Sequence, residues 1–377
     1  MRAPDAPGRG SGAASARLVA RIGAEIRAAG GWIPFARYME RALHEPGLGY
    51  YAASVRTFGA TGDFVTAPEL TPLFGRALAR QLAEVLEPGE AVLEFGAGSG
   101  ALAEALGGEL ARLGRAVPYL ILETSAELAA RQRARLGRRA AWLDRLPERF
   151  RGVIVANEVL DAMPVHAVSW RTDGIHERGV GVIGGRFAWQ ERPAEGEVLE
   201  AARAIAPELP PCGCYRSEIG LAARGWMRAV GRALERGALF VLDYGFPERE
   251  YYHPQRWMGT LVCHSRHRMH DDPFRAPGLE DISAHLDFSA LARAGAEAGL
   301  ELLGFASQAQ FLLNCGITAL LADEDPADRR RYAPQAAAVQ KLVSPAEMGE
   351  LFKVLAMGRG VEHRLLGFAR GDRSHAL

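Results

Sequence analysis

Lysine is nearly absent from this chain. Lys341 and Lys353 are its two lysines, so 43 of the 45 basic residues are arginine. Together with the abundance of alanine and glycine, the skew reads as the imprint of a GC-rich coding sequence. Net charge is absent as well: Asp+Glu also number 45 and the formal charge is zero. That excludes a chain-wide electrostatic hold on nucleic acid or an anionic membrane and leaves only local patches. Cysteine is scarce. Cys212, Cys214, Cys263 and Cys315 are too few to staple 377 residues, and the spacing Cys212-Gly213-Cys214 is too tight for paired metal ligands. They read as reduced thiols of a cytoplasmic protein, or of a mitochondrial-matrix protein if the source is eukaryotic. No apolar run approaches the roughly 18–20 residues that span a bilayer. Residues 1–15, rich in Ala, Gly, Pro and Arg, lack the apolar stretch of a secretory signal and read as a disordered tail.

What is present is an α/β rhythm. Residues 16–30 place Leu18, Ile22 and Ile26 on one helical face and stop at Gly30-Gly31, and a second short helix is expected over 35–43. A glycine-rich aromatic stretch follows, from Gly47 to Phe64, and then an amphipathic helix over 70–86. From residue 91 short apolar strands alternate with helices: strands at 91–95, 119–123, 140–142, 153–156 and 238–242, helices at 101–113, 127–136 and 219–235. Apolar strands without in/out alternation, each followed by a helix, predict a parallel sheet covered on both faces. A helix is expected over 288–298, and final strands near 300–305 and 352–357. Two segments break the rhythm. Residues 165–192 alternate apolar and polar with turns at Asp173-Gly174 and Gly184-Gly185, the pattern of an antiparallel meander. Residues 244–285 are polar, aromatic and histidine-rich, without periodicity.

Glu94-Phe95-Gly96-Ala97-Gly98-Ser99-Gly100 joins the first strand of the rhythm to its helix. Glycines there let the chain turn sharply and let a ligand lie against bare backbone at a helix N-terminus. With Ala101 the run also fits the dinucleotide fingerprint, so a nicotinamide cofactor and a Rossmann-type oxidoreductase stay open beside S-adenosylmethionine. Glu94 tilts the balance: a carboxylate at that strand end repels a pyrophosphate and attracts the ammonium of S-adenosylmethionine. Glu123, ending the next strand, can accept both ribose hydroxyls in either case. Asn157 and Glu158 follow the fourth strand and project toward the cofactor's reactive end. Glu158 and Asp161, three apart, form a carboxylate pair suited to holding a guanidinium. Asp161 as a simple cap is the plainer alternative.

Beside these stand Gly62-Asp63-Phe64-Val65-Thr66-Ala67-Pro68-Glu69, Asn157-Glu158-Val159-Leu160-Asp161-Ala162-Met163-Pro164, Tyr215-Arg216-Ser217-Glu218, Asp243-Tyr244-Gly245-Phe246-Pro247 and Gly259-Thr260-Leu261, in one order along the chain. Over residues 34–359 the chain resembles the MidA-like family, whose mitochondrial members act as a complex I assembly factor with protein arginine methyltransferase activity. The resemblance implies a class I S-adenosylmethionine-dependent methyltransferase fold. It places Gly96, Ala97, Gly98 and Gly100 on the cofactor, with Glu123 on its ribose, and it implies that the 62–69 loop closes over the site. Thr66, Glu69, Glu94, Thr124 and Asn157 complete the expected cofactor set. Glu158, Asp161 and Asp63 are the expected catalytic or acceptor-side residues. The acceptor would be a protein arginine, as on a complex I subunit; the paired-glutamate hairpin of the better-known arginine methyltransferases is missing. An assembly protein that keeps the fold without catalysis is the remaining alternative.

The expected organisation is a tail (1–15), a helical and lid region (16–88), a core assembled from 89–164, 218–243 and 288–360, and two insertions, 165–217 and 244–287, that form the acceptor region. Five histidines lie between His253 and His285, but the spacing of His264, His267 and His270 matches no zinc signature, and the intervening Arg266 and Arg268 would repel a cation. No metal is expected.

Overall fold

The computed structural model describes residues 9–53, 66–265 and 268–377. An eight-stranded sheet organises the fold. Its strands are β1 (Ala91–Phe95), β2 (Tyr119–Leu122), β3 (Ala141–Leu143), β4 (Phe150–Asn157), β5 (Leu234–Phe246), β6 (Leu286–Asp287), β7 (Glu301–Ser307) and β8 (Phe352–Arg359). Their spatial order is β3-β2-β1-β4-β5-β8-β7, with the short β6 beside the end of β5. β1 to β5 run parallel, while β8 pairs antiparallel with both β5 and β7. The chain steps outward from β1 through β2 to β3, then returns to the other side of β1 as β4. The crevice beyond the carboxyl ends of β1 and β4 is therefore the topological switch point, where open α/β sheets bind ligands.

Both faces are covered. Val92, Val153, Val155, Phe240, Val354 and Ala356 pack toward helices 72–85, 101–112 and 308–314. The alternate residues Leu93, Ile154, Leu239, Val241, Leu355 and Met357 pack toward helices 221–233 and 288–297. This period-two division of near-continuous apolar strands is the signature of a doubly covered sheet.

Several local expectations shift. The first helix runs Arg9–Ala28, so residues 9–15 are helical rather than part of a tail. It ends at Gly30 (φ 74°) and Gly31 (φ 91°), left-handed positions that suit glycine. The expected helix over 70–86 divides: Ala67–Leu70 forms one short turn and Pro72–Val85 the main helix, restarted by Thr71, whose hydroxyl accepts from the Leu73 amide. β5 starts at Leu234, earlier than expected, and takes the last residues of the anticipated helix over 219–235.

The meander forms as expected, with strands 166–171, 174–183 and 186–193. They join strand 214–219 and Ile33–Pro34 from the N-terminal region in a second, five-stranded antiparallel sheet. The histidine-rich segment, which has no periodicity in sequence, holds a third sheet of strands 262–265, 268–270 and 281–283. One apolar cluster binds the N-terminal helices to both: Leu18, Ile22, Ile26, Tyr38 and Leu43 pack with Val165, Val180, Cys263 and Ile282.

A cavity at the switch point

A cavity of about 590 Å³ opens at the carboxyl ends of β1 and β4. Its first wall is the glycine loop. Gly96 (φ 58°) and Gly98 (φ 53°) adopt left-handed backbone there, and Gly100 (φ 82°) caps the following helix. A Cβ at Gly96 would come within 3.1 Å of the Val159 Cγ2, a tight contact that adds to the left-handed φ in favouring glycine there. Ser99 Oγ donates to Glu69 and receives a bond from Arg135 (3.0 Å), which ties the 67–70 turn to the loop.

Glu94 is buried behind this loop and accepts from the Tyr119 hydroxyl (2.7 Å). Burial pushes its pKa up to about 7 against that bond, with nearby Glu123 adding repulsion. A cationic group arriving in the cavity would relieve this cost, which fits the ammonium and sulfonium of S-adenosylmethionine and opposes a pyrophosphate.

The opposite wall is acidic. The Glu158 amide donates to the Leu242 carbonyl (2.9 Å), and its Oε1 accepts from the Ala67 amide and the Asn157 side chain, each at 3.3 Å. Burial first, and Asp161 second, push the Glu158 carboxyl up to about 8. Asp161 is buried; one oxygen accepts from the Tyr244 hydroxyl, and Oδ1 has no hydrogen-bond partner among the described residues. Burial and then the charge of Asp281 raise its pKa. Asp243 stands beneath them, fully buried, and braces the turn by accepting from the amides of Leu160 (3.1 Å), Asp161 (3.3 Å) and Tyr244 (2.9 Å).

Of the expected residues, Thr66, Glu69, Glu94, Gly96, Ala97, Gly98, Asn157, Glu158 and Asp161 line this cavity. Gly100, Glu123 and Thr124 stand outside its lining. Glu123 ends β2 as expected, with its oxygens held by the Ser125 amide and Gln132 (2.9 Å each), and burial raises its pKa. Asp63 lies outside the described residues. Tyr51, Tyr244, His264, Asp281, His285 and Lys341 also line the cavity; none was among the expected site residues, although 244–287 was expected to form the acceptor region. His264 and His270 lie on neighbouring strands of the third sheet, and His267 is outside the described residues. Among the described residues, no three His, Cys, Asp or Glu side chains converge as a metal site.

A family profile of S-adenosyl-L-methionine-dependent methyltransferases matches residues 73–306. The chain belongs to this family. Its cofactor is therefore S-adenosylmethionine rather than a nicotinamide nucleotide, and its fold is the class I methyltransferase sheet described above. The chain is 52% identical to a Burkholderia thailandensis protein crystallised bound to S-adenosyl-homocysteine, with a TM-score of 0.96 over 100% of both chains. It is also 27% identical to the protein arginine methyltransferase NDUFAF7, mitochondrial, of Danio rerio, over 87% of this chain and 83% of that one. The human counterpart is 26% identical, over 91% of this chain and 83% of its own length. Among the described residues of this methyltransferase, no helix is long and apolar enough to cross a membrane.

Proposed function

We propose that this methyltransferase modifies arginine side chains of a protein partner, a respiratory complex I subunit being the candidate its distant relatives point to. The observation that carries the reading is the juxtaposition in one cavity of the glycine loop with the buried carboxylates Glu158 and Asp161. The glycine loop and Glu94 hold the cofactor, which supplies an electrophilic methyl group on a sulfonium. Glu158 and Asp161 receive the guanidinium.

Methyl transfer from sulfur to nitrogen is an in-line displacement, and alignment alone is worth up to roughly 7–11 kcal/mol in favourable cases. A free guanidinium has a pKa above about 12 and no lone pair to offer, so a base must take a proton as the new bond forms. Glu158 is placed for this: its carboxylate is held by the Ala67 amide and Asn157, and its raised pKa makes it a better proton acceptor than an ordinary glutamate. Asp161 aims the guanidinium from the other side through charge-assisted hydrogen bonds. Asp63 is proposed as an acceptor contact from the lid.

The test is to incubate the purified protein with methyl-labelled S-adenosylmethionine and a lysate from cells lacking it, then hydrolyse the labelled protein. Label recovered as methylarginine supports the reading. Label recovered only on carboxyl, hydroxyl or small-molecule acceptors overturns it.

A further inference from the structure

The acidic wall of the cavity continues onto an element outside the methyltransferase sheet. Asp281, on strand 281–283 of the small third sheet, is only 3% exposed and lines the same cavity as Glu158 and Asp161. Its Oδ1 accepts from Tyr51 (2.8 Å) and its Oδ2 from Ser283 (2.8 Å), so its carboxylate is held rigidly from two sides. Tyr51 comes from the N-terminal helical region, which ties this carboxylate to two elements foreign to the central sheet. The strand is anchored to the Asp161 turn by the Ala284 amide, which donates to the Asp161 carbonyl (3.1 Å). Asp161 itself is 7% exposed and lines the cavity, and its buried Oδ1 has no hydrogen-bond partner among the described residues. A buried carboxylate oxygen without a donor makes the ionised form costly, and a cation in the cavity lowers that cost.

We propose that Asp281 is a specificity-determining residue of this site, forming with Asp161 a two-sided carboxylate clamp that selects a planar cation carrying several N–H donors, the guanidinium, over neutral side chains. This rests on the methyltransferase reading above. Glu158 then addresses the attacking nitrogen, while Asp161 and Asp281 hold the donors that do not react. A guanidinium presents five N–H donors in a fixed fork, enough to satisfy the three carboxylates together; a neutral amide leaves them facing one another uncompensated.

The clamp has a proton signature. Asp161 and Asp281 repel each other, and Glu158 and Asp243 add to the negative charge. The neighbouring titratable or charged groups include the Tyr51 and Tyr244 hydroxyls, His44, which interacts with the Asp281 charge, His285, the cavity-lining Lys341, and His264, whose Nδ1 lies 4.0 Å from Asp281. The empty cluster therefore retains protons near neutral pH, and a bound cation favours the ionised carboxylates and expels them.

The experiment uses two synthetic ligands, adenosine joined at its 5′ carbon through a propyl arm to either a guanidine or an isosteric urea. Calorimetry on the full chain in two buffers of different ionisation enthalpy reads affinity and proton count together. The expected results are at least tenfold tighter binding of the guanidine ligand, release of about one proton with it and none with the urea, and a fall of fivefold or more in that preference for Asp281→Asn. S-adenosylhomocysteine affinity of the variant should stay within twofold. Loss of that affinity as well would mark a misfolded variant, and the wild-type proton count then decides: no release overturns the clamp. A preference unchanged in Asp281→Asn overturns the role of Asp281 and leaves arginine methylation standing. Equal binding of guanidine and urea by the wild type overturns both.

Discussion

Glu158 carries two costs at once. Its φ of 52° is left-handed, a conformation that costs a non-glycine residue roughly 1–2 kcal/mol. Its carboxyl is also held in surroundings that push its pKa up to about 8. Sites that keep both kinds of strain tend to keep them for function. Glu158→Gln preserves shape and removes the proposed base, so on that proposal methyl transfer is expected to drop by about 10²–10⁴-fold, the usual range for a general base. S-adenosylhomocysteine affinity should change little. If Glu158 is the base proposed above, its ionised form is the active one, and kcat/KM of the wild-type enzyme should rise with pH through about 8. Its stability should run the other way. A carboxyl whose folded pKa is raised supports the fold below its unfolded pKa, near 4.5, and that support is lost as pH rises through 8. Glu158→Gln should therefore melt higher than wild type at pH 8.5, with the difference vanishing by pH 4; a variant less stable at pH 8.5 would count against the assignment.

At the scale of the element, the glycine loop shows what short motifs convey. Its strand, turn and helix were legible because glycine, helix start and apolar run coincide over ten residues. The loop's partners were not. Glu69 reaches Ser99 across 30 residues of sequence, and Tyr119 reaches Glu94 from the adjacent strand. Strand β3 and the late antiparallel strands were legible from apolar runs, while the third sheet was not. Its strands are three or four residues long, too short for a period to show, and His264, Arg268 and His270 interrupt them. Asp281 thus offered no sequence signal: an isolated aspartate in a polar segment becomes a cavity wall only through pairing with strand 262–265. Within the loop, Gly98→Val is the decisive change. A β-branched residue at φ 53° is strained by roughly 1–2 kcal/mol, and Gly98 lies in the cavity lining. S-adenosylhomocysteine affinity is expected to fall by more than tenfold, with far-ultraviolet circular dichroism unchanged. Unchanged affinity by calorimetry would place the cofactor elsewhere.

Over the whole molecule, the division of labour follows from where the apolar clusters lie. The central sheet has its own two layers; helix 72–85 belongs to one of them, and the helices before residue 53 contribute to neither. They pack instead on strands 174–183, 262–265 and 281–283, the layer that brings Tyr51 and Asp281 to the cavity. Ser15 Oγ bonds the Pro277 carbonyl (2.8 Å), and a Cβ on Gly278 would meet the Leu18 side chain at 2.7 Å, so the first helix lies directly against the segment leading into Asp281. In sequence it falls within the helical and lid region of 16–88; folded, it packs against the layer that carries Asp281. Ile22, completely buried in that cluster, tests the distinction. Ile22→Ala should cost about 2–5 kcal/mol of local packing. If the helix braces the acceptor wall, hydrogen exchange should accelerate across 33–44, 174–183 and 262–283 and stay slow in β1, β4 and β5. The guanidine-bearing ligand should bind more weakly while S-adenosylhomocysteine binds as before. Uniform acceleration across the central sheet would show instead that the N-terminal helices stabilise the fold as one cooperative unit and have no separate hold on the acceptor wall.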